Sequence, residues 1–455
     1  MLERCVTLDK VKLFLLVFIW GWGAHVGAQE QGLTPITIQD AISRAEKYGM
    51  QIQTADIAAR LAHEDKKQAR AASLPSLNAL NQFIYTEGNG TPSGVFVAND
   101  GVHVYNEQAV VHEELLSFVR RGEIRLAAAA EAVARAKVDV AARGLKATVI
   151  QNYYSIAAAV RKVRNAQRSL DEAQQFLDIT GKQERAGEAA HSDVIKAQLQ
   201  VQQRKRDIQD SELAVQKAKI ALAVLIFPTL QLDYSVIDDL VQIGALPPLP
   251  EATAQANATS PDLRAVREGL RQAKLNVSVA KYAYLPSLGL DFWYGLDANQ
   301  FAARTDHPTP ESGRSTLPNY LVPYRQNLGY SAAATLNVPV WSWGSIHSRV
   351  KQASLREQQA QLDFSLTQKQ IQADIASAYK EAQTALSQVD SLRSSSELST
   401  ESLRLTVLRY KAGEATTLEV VDAQTTANLA RGAYDDGLAR YRIALLSLQN
   451  ITGKL

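Results

Sequence analysis

A short turn occurs twice in the chain, as Arg185-Ala-Gly-Glu-Ala189 and again as Lys411-Ala-Gly-Glu-Ala415. Each copy joins two long stretches of helical period. Before the first, apolar or small residues fall at Val138, Ala142, Leu145, Val149, Ile156, Ala159, Val163, Ala166, Leu170, Ala173 and Leu177. The steps alternate four and three, and only Asn152 interrupts them. Before the second, the same spacing runs through Ile371, Ile375, Ala378, Ala382, Ala385, Val389 and Leu392. A heptad seam of this kind makes helices wind around one another. Glycine after a basic residue ends a helix, and a new helical pattern starts at once beyond it. Each turn is therefore the tip of a long antiparallel helical hairpin. Two tips in matching context make an internal repeat, which limits the fold more tightly than any single motif.

The first residues read as a secretory signal. Arg4, Lys10 and Lys12 supply positive charge, and Leu13 to Trp22 is apolar. That run is shorter than the roughly 20 residues a spanning helix needs, and Val26-Gly-Ala28 offers small residues for cleavage before Gln29. The one cysteine, Cys5, precedes the apolar run and leaves with the signal, so the mature chain has neither disulfide nor thiol nucleophile. Removing residues 1–28 takes three basic and two acidic residues from 49 and 47, leaving 46 against 45. Such a balance gives no reason to expect a nucleic-acid partner. No second long apolar stretch exists, which excludes a helical membrane protein but not a β-barrel, whose strands are short and only half apolar.

Within each repeat the chain follows one plan. Residues 36–72 have helical period, with Thr37 as a cap and Ile42, Ala45, Ile57 and Leu61 facing inward. Leu74-Pro-Ser-Leu77 stops that helix and recurs as Leu285-Pro-Ser-Leu288, an offset of 211. Alternating segments follow: Leu77, Ala79, Phe83 and Tyr85 in the first repeat, then Leu288, Leu290, Phe292 and Tyr294 in the second. Return strands are expected within 102–118 and from Tyr330 to Val340. In the former, charge falls on either parity, Val110-His112-Glu114 or Val111-Glu113-Leu115. Pro339 cannot donate to a ladder and marks a strand end. Helix is expected to resume near Gly122 and Trp343-Gly344. The second arm of the first hairpin is expected to end at Ile220-Ala-Leu222, before a proline-rich break over 228–260.

Strands with one apolar and one polar face need something to cover the apolar side, and heptad helix leaves little chain to do it. A membrane meets the need, with lipid on one face and a watery lumen on the other. Open edges do not survive in lipid, so the sheet must close. One chain offers about four strands, and single-chain barrels begin at about eight, so closure requires an oligomer. Aromatic residues near strand ends (Tyr85, Trp293, Tyr294, Tyr330, Trp341, Trp343) suit an interfacial girdle. The helix from Ser345 to Tyr410 would be roughly 100 Å long at 1.5 Å per residue, long enough to reach across a compartment.

Chemistry is sparse. The seven histidines show no metal-ligand spacing, and no phosphate loop or nucleophile elbow occurs. No cofactor, metal or catalytic residue is expected. His112-Glu-Glu114 reads as a lumen or solvent face. Glu419 and Asp422, three residues apart, share one helix face just past the second tip.

The chain resembles the TolC-like outer-membrane efflux factors from about residue 36 to its end. The likeness rests on the duplicated Leu-Pro-Ser-Leu, on Asn337-Val-Pro-Val340 before Gly344, and on the two glycine tips. Its most specific part is Tyr410-Lys-Ala-Gly413 with Asp422-Ala423. The resemblance implies a mainly α fold with membrane β-strands. Three chains would form a twelve-stranded β-barrel continuing into a periplasmic α-helical barrel. It implies a signal peptide over 1–28 and a first repeat over 29–227, with strands within 76–118 and its tip at 185–189. It implies an equatorial linker over 228–260 and a second repeat over 261–455, with strands within 287–341 and its tip at 411–415. The implied function is a passive outer-membrane exit duct for efflux or type I secretion, serving drugs, metals, small molecules or polypeptides. The implied partners are a homotrimer, outer-membrane lipid, a periplasmic adaptor and an inner-membrane pump. Glu419, Asp422 and Tyr410 would line a periplasmic aperture. Arg185, Gly187, Asp193, Lys411 and Gly413 would meet the adaptor at the tips. The competing readings are a coiled-coil adaptor, which would lack paired amphipathic strands, and an envelope enzyme, which would need a catalytic constellation.

The mature protein is expected to begin near Gln29 and to sediment with outer membranes. Recovery in the soluble periplasmic fraction without detergent would contradict this.

Overall fold

The computed structural model describes residues 34–85, 103–242, 244–299 and 328–454. The expected signal peptide, the glycine-rich loop between the first two long strands and the proline-rich loop between the last two lie outside these residues. In chain order the elements are β1 (Thr34–Ile36), α1 (Ile38–Tyr48), α2 (Met50–Ala71), β2 (Ser76–Tyr85), β3 (His103–Leu116), α3 (Phe118–Arg185) and α4 (His191–Ile226). Then come β4 (Tyr234–Val236), α5 (Leu249–Thr259), α6 (Pro261–Tyr282), β5 (Ser287–Asn299), β6 (Leu328–Asn337), α7 (Ser345–Lys411) and α8 (Thr417–Ile451).

The long strands make one antiparallel sheet in the order β2-β3-β5-β6. Its register settles the parity that the sequence left open. Leu77, Val111, Phe292 and Ala332 lie side by side across the four strands, as do Ala79, Ala109, Tyr294 and Tyr330. Val111 and Glu113 therefore share the apolar face, and Glu107 joins them there. His112 lies on the other face beside Asp291, with Nδ1 and Oδ1 2.6 Å apart. β6 ends at Asn337, two residues before Pro339. Gly344 at φ 82° then starts α7, preceded by Trp343 at φ 50°.

Two helices dominate, α3 with 68 residues and α7 with 67. α7 is flanked by two shorter helices, one above the other, and α3 by such a pair on each side. Toward the sheet the lateral order is α2-α3-α6-α7, and toward the tips it is α4-α3-α8-α7. The short helices meet near residues 143–150 of α3. Leu145, Val149 and Ile150 share a core with Leu222, Ala223 and Ile226 at the end of α4. Gly49, where α2 starts, has no room for a side chain, because a Cβ there would lie 2.3 Å from Leu145 Cδ2. On the other flank Asn450 of α8 donates to the Arg143 carbonyl at 3.0 Å, and Thr259 of α5 donates to the Thr452 carbonyl at 3.1 Å.

Several local expectations are corrected. Residues 36–72 hold two helices broken at Gly49. Thr37 does cap the first, with Asp40 closing a capping box. Ile57 and Leu61 are 57% and 61% exposed rather than inward, because α2 lies at the edge of the layer. α3 starts at Phe118, four residues before Gly122, because Ser117 accepts from the Arg120 N–H. Its partner α4 runs four residues past Leu222. The proline-rich 228–260 segment is structured: β4 pairs in parallel with β1, and Pro248 caps α5. Short three-residue strands leave too little alternation to be read from sequence. Among the described residues no helix is long and apolar enough to cross a membrane.

Tyr153 fastens this added layer to α3. Its hydroxyl lies 3.0 Å from the carbonyls of Ile36 and Ile237 and accepts the Ile237 N–H at 3.1 Å. Burial pushes that hydroxyl up to about 12, so it stays neutral and keeps its proton to donate. Tyr153→Phe removes the hydroxyl beside the Ile36 and Ile237 carbonyls, while the Ile237 N–H keeps the Ile36 carbonyl at 3.2 Å, so the cost is that of one lost hydrogen bond, about 0.5–1.5 kcal/mol. Thermal unfolding in detergent should show the lowered midpoint; an unchanged midpoint would mean that water replaces the hydroxyl.

Candidate functional site at the hairpin tips

Both long helices end in the same hydrogen-bonded loop. Gly187 and Gly413 adopt φ of 78° and 79°, in the left-handed region that glycine enters freely. At the first tip the Glu188 N–H donates to the Gln183 carbonyl at 2.8 Å, and the Gly187 N–H to Glu184 at 2.9 Å. At the second, the Glu414 N–H donates to Arg409 at 2.9 Å, and the Gly413 N–H to Tyr410 at 3.0 Å. This paired pattern is the Schellman motif, which satisfies helix carbonyls that would otherwise lack partners.

Beyond the glycines the copies diverge. Adding 226 to a first-tip number gives its second-tip counterpart, so Asp193 matches Glu419 and Lys196 matches Asp422. At the first tip the pair neutralises itself, with Lys196 Nζ 3.0 Å from Asp193. His191 closes on Glu184 across the turn at 2.6 Å. At the second tip both positions are acidic and exposed. Thr416 caps α8, and Glu419 reaches back to the Thr416 N–H and hydroxyl, each at 3.1 Å. These bonds, with Arg409 at 3.5 Å, hold the Glu419 carboxyl below the ordinary range. Glu419 thus stays charged but is tied to its own helix, whereas Asp422 projects from α8 without an ion pair among the described residues.

The structure separates the residues picked out from sequence. Arg185 and Lys411 are exposed, and Arg185 Nε donates to the Gly181 carbonyl at 3.1 Å. Tyr410 is only 5% exposed and packs edge-on to Phe176, with ring centroids 4.9 Å apart. Its hydroxyl donates to Thr180 and accepts from Thr417, both at 3.3 Å. Gln183 donates to its carbonyl at 3.2 Å. Tyr410 therefore bolts the second tip to the first within one subunit.

A polar ladder continues that join upward, and apolar periodicity gave no hint of it. Between α3 and α8, Gln424 donates to the Glu172 carbonyl at 3.2 Å, and Arg431 pairs with the Glu172 carboxylate at 2.9 Å. Ser169 meets Asn428 at 3.0 Å, Asn165 meets Asp435 at 2.6 Å, and Arg161 meets Asp435 at 3.0 Å. Inside each hairpin the contact is largely apolar, through Leu170, Ala173 and Val201 in the first and Ile371, Ile375 and Leu448 in the second, where Arg440 also reaches Glu381 and Gln388 and Arg431 reaches Thr400. The legible signal was Gln424, Asn428, Arg431 and Asp435, polar at steps of four, three and four. Among the described residues no group of His, Cys, Asp and Glu is placed to hold a metal ion.

Comparison with known proteins bears on this architecture. A family model described as outer membrane efflux protein matches residues 41–226 and 252–454. Outer membrane protein OprJ of Pseudomonas aeruginosa is 24% identical over 356 residues, covering 76% of this chain and 69% of OprJ. The pyoverdine export outer membrane protein OpmQ of Pseudomonas putida is 26% identical over 312 residues, covering 66% of this chain and 59% of its own length. In structure the chain is similar to the Campylobacter jejuni CmeC outer membrane channel, with a TM-score of 0.77 and 16% identity. That match covers 97% of this chain and 94% of CmeC.

Gly413→Ala tests the tip. A Cβ there would meet nothing within 4 Å, so the only cost is the left-handed backbone, about 1–2 kcal/mol. Faster amide exchange at Gly413 and Glu414 is expected, with protection in the upper half of α7 unchanged.

Proposed function

The chain belongs to the outer membrane efflux protein family, and on that footing we propose that it is the outer-membrane exit duct of a tripartite export assembly. The observation that carries this reading is a shared incompleteness. The sheet leaves one edge from each repeat, β2 and β6. The helical layer also leaves one edge from each repeat: α7 on one side, and on the other α2 toward the sheet with α4 toward the tips. Leu199, Leu213 and Val224 stand exposed on α4, and Leu362, Leu366 and Leu398 on α7. Joining β6 and α7 of one copy to β2, α2 and α4 of the next satisfies both edges at once. Three copies of a four-stranded sheet make twelve strands, and the same operation makes twelve helices around one bore. A closed strand ring suits lipid, and the exposed leucines gain burial.

Residues 29–227 and 261–455 then act as two repeats, and 228–260 with β1 and α1 forms an equatorial layer. The sheet stands in the outer membrane, and the helices project into the periplasm. A periplasmic adaptor would engage the tips through Arg185, Gly187, Asp193, Lys411 and Gly413 and connect them to an inner-membrane pump. Glu419 and Asp422 of three chains would set six carboxylates around the narrow end. Like charges 4 Å apart in water repel by about 1 kcal/mol per pair. The repulsion is partly offset here, since Arg409 stands beside Glu419. Tyr410 would support the aperture from inside each subunit rather than line it. The bore itself would be passive: docking widens it, and the pump supplies the work.

Native mass spectrometry of detergent-extracted protein should give a trimer, and planar-bilayer recording should show a cation-preferring pore. Glu419→Gln with Asp422→Asn keeps the α8 cap, because glutamine also closes a capping box. The double variant should remain trimeric while losing cation preference and block by multivalent cations. A monomer would sink the duct. A trimer whose variant keeps its selectivity and block would remove these two residues from the aperture.

A further inference from the structure

One stripe of α3 carries Arg121, Arg125, Arg135, Lys146, Val149 and Tyr153, all on the same heptad positions. Its lower part is covered by the added layer, since Lys146 pairs with Glu46 of α1 and Tyr153 bonds to Ile36 and Ile237. Its upper part is open, and all three arginines are exposed. Two neighbouring helices add to the same side. Arg264 of α6 reaches Asp139 of α3, and Arg267, Arg271, Lys274 and Lys281 follow it at heptad spacing. On α2, Arg60 and His63 border a groove shared with Arg135 and Asp139, and Lys67 and Arg70 continue that stripe.

These charges are sorted along the axis. Away from the sheet they have carboxylates: Arg60 with Asp56 at 2.8 Å, Arg135 with Glu131 at 2.5 Å, Arg264 with Asp139, and Arg271 with Glu268 at 3.5 Å. Next to the sheet Lys67 pairs with Glu64. Arg70, Arg121, Arg125, Lys274 and Lys281 form no ion pair among the described residues, and Arg267 is the one distal residue like them. Arg70 and Lys281 lie in the last turns of their helices. Arg121, Arg125 and Lys274 lie within about 12 Å of a helix end at 1.5 Å per residue. At the same junction Trp341 and Trp343 are 75% and 89% exposed. Tryptophan favours the headgroup level of a membrane.

We propose that this collar binds the headgroups of anionic phospholipids in the periplasmic leaflet of the membrane that holds the sheet. The inference rests on the duct reading. In a closed ring the layer of α1, β1 and β4 must lie outside, where it leaves the bore open, so the collar on its side faces outward. Arg70, Arg121 and Lys281 lie within about 5 Å of a helix end at 1.5 Å per residue, the span of a headgroup zone about 5–8 Å thick. Arg125 and Lys274, about 10–12 Å away, come within reach of it on their long side chains. An extended cell-wall polymer would call for free cations along all of α6, about 33 Å for its 22 residues. Juxtamembrane basic clusters of this size attract anionic lipid, each residue adding about fivefold in affinity.

The test uses the full protein reconstituted in vesicles of phosphatidylethanolamine with one-quarter phosphatidylglycerol, then extracted mildly for native mass spectrometry. The trimer should retain phosphatidylglycerol in preference to phosphatidylethanolamine. Replacing Arg70, Arg121, Arg125, Lys274 and Lys281 by Gln should cut that preference roughly tenfold or more. Arg60→Gln with Arg264→Gln and Arg271→Gln, the distal control, should leave it intact. Trimer mass and thermal midpoint report that each variant folds. An inserted trimer without the preference, or equal losses in both variants, overturns the collar alone. Protein that inserts into no vesicle overturns the membrane reading and the collar with it. If the proximal variant keeps its lipid but loses binding to purified sacculi, the collar serves the cell wall and the lipid proposal is wrong.

Discussion

Unpaired backbone decides most of this structure. Along β2 and β6 the outer N–H and C=O groups have no partner within the chain's own sheet. Each such group left unmet in hydrocarbon costs several kcal/mol, and water is not there to help. No rearrangement of four strands in one chain removes two edges. The exposed leucines on α4 and α7 pose the same problem in milder form, since water tolerates them. The folded subunit thus leaves both kinds of surface unmet by its own chain.

Inside the subunit two kinds of helix contact divide the labour. Within each hairpin the contacts are mostly alanine, leucine, isoleucine and valine, with Arg440 on Glu381 and Arg431 on Thr400 adding polar contacts across the second. Between the hairpins, named pairs such as Arg431 with Glu172 and Asn165 with Asp435 fix one register. Breaking one member of such a buried pair leaves the other uncompensated, which makes these contacts specific rather than merely adhesive. Tyr410 ends that ladder at the tip, held by Thr180 and Thr417.

Much of this was legible in the chain. The two turns followed from Gly187 and Gly413, and the starts of β2 and β5 from the duplicated Leu-Pro-Ser-Leu, because glycine and proline act locally and the heptad acts over many turns. Parity in β3 was not legible, since Glu107, Glu113 and Glu114 put charge on both faces and only pairing with β5 chooses between them. The pairing of β1 with β4 was hidden because they are three residues each and pair across about 200 positions. Tyr410 was assigned to an aperture from its neighbourhood in sequence. A tyrosine at a helix end carries no local sign of whether it faces a bore or a sister helix. The matched numbering of the tips did hold an unread signal, the exchange of Lys196 for Asp422 that makes one tip neutral and the other acidic.

The staggered joints have a mechanical consequence. α3 and α7 run unbroken past the level where α2 gives way to α4 and α6 to α8. The long helices therefore act as splints across a seam in their neighbours, as overlapping courses do in masonry. A sharp hinge in the subunit at that level would have to break backbone hydrogen bonds in two continuous helices. A load applied at the tips therefore reaches the sheet end through two unbroken helices rather than being absorbed at a hinge.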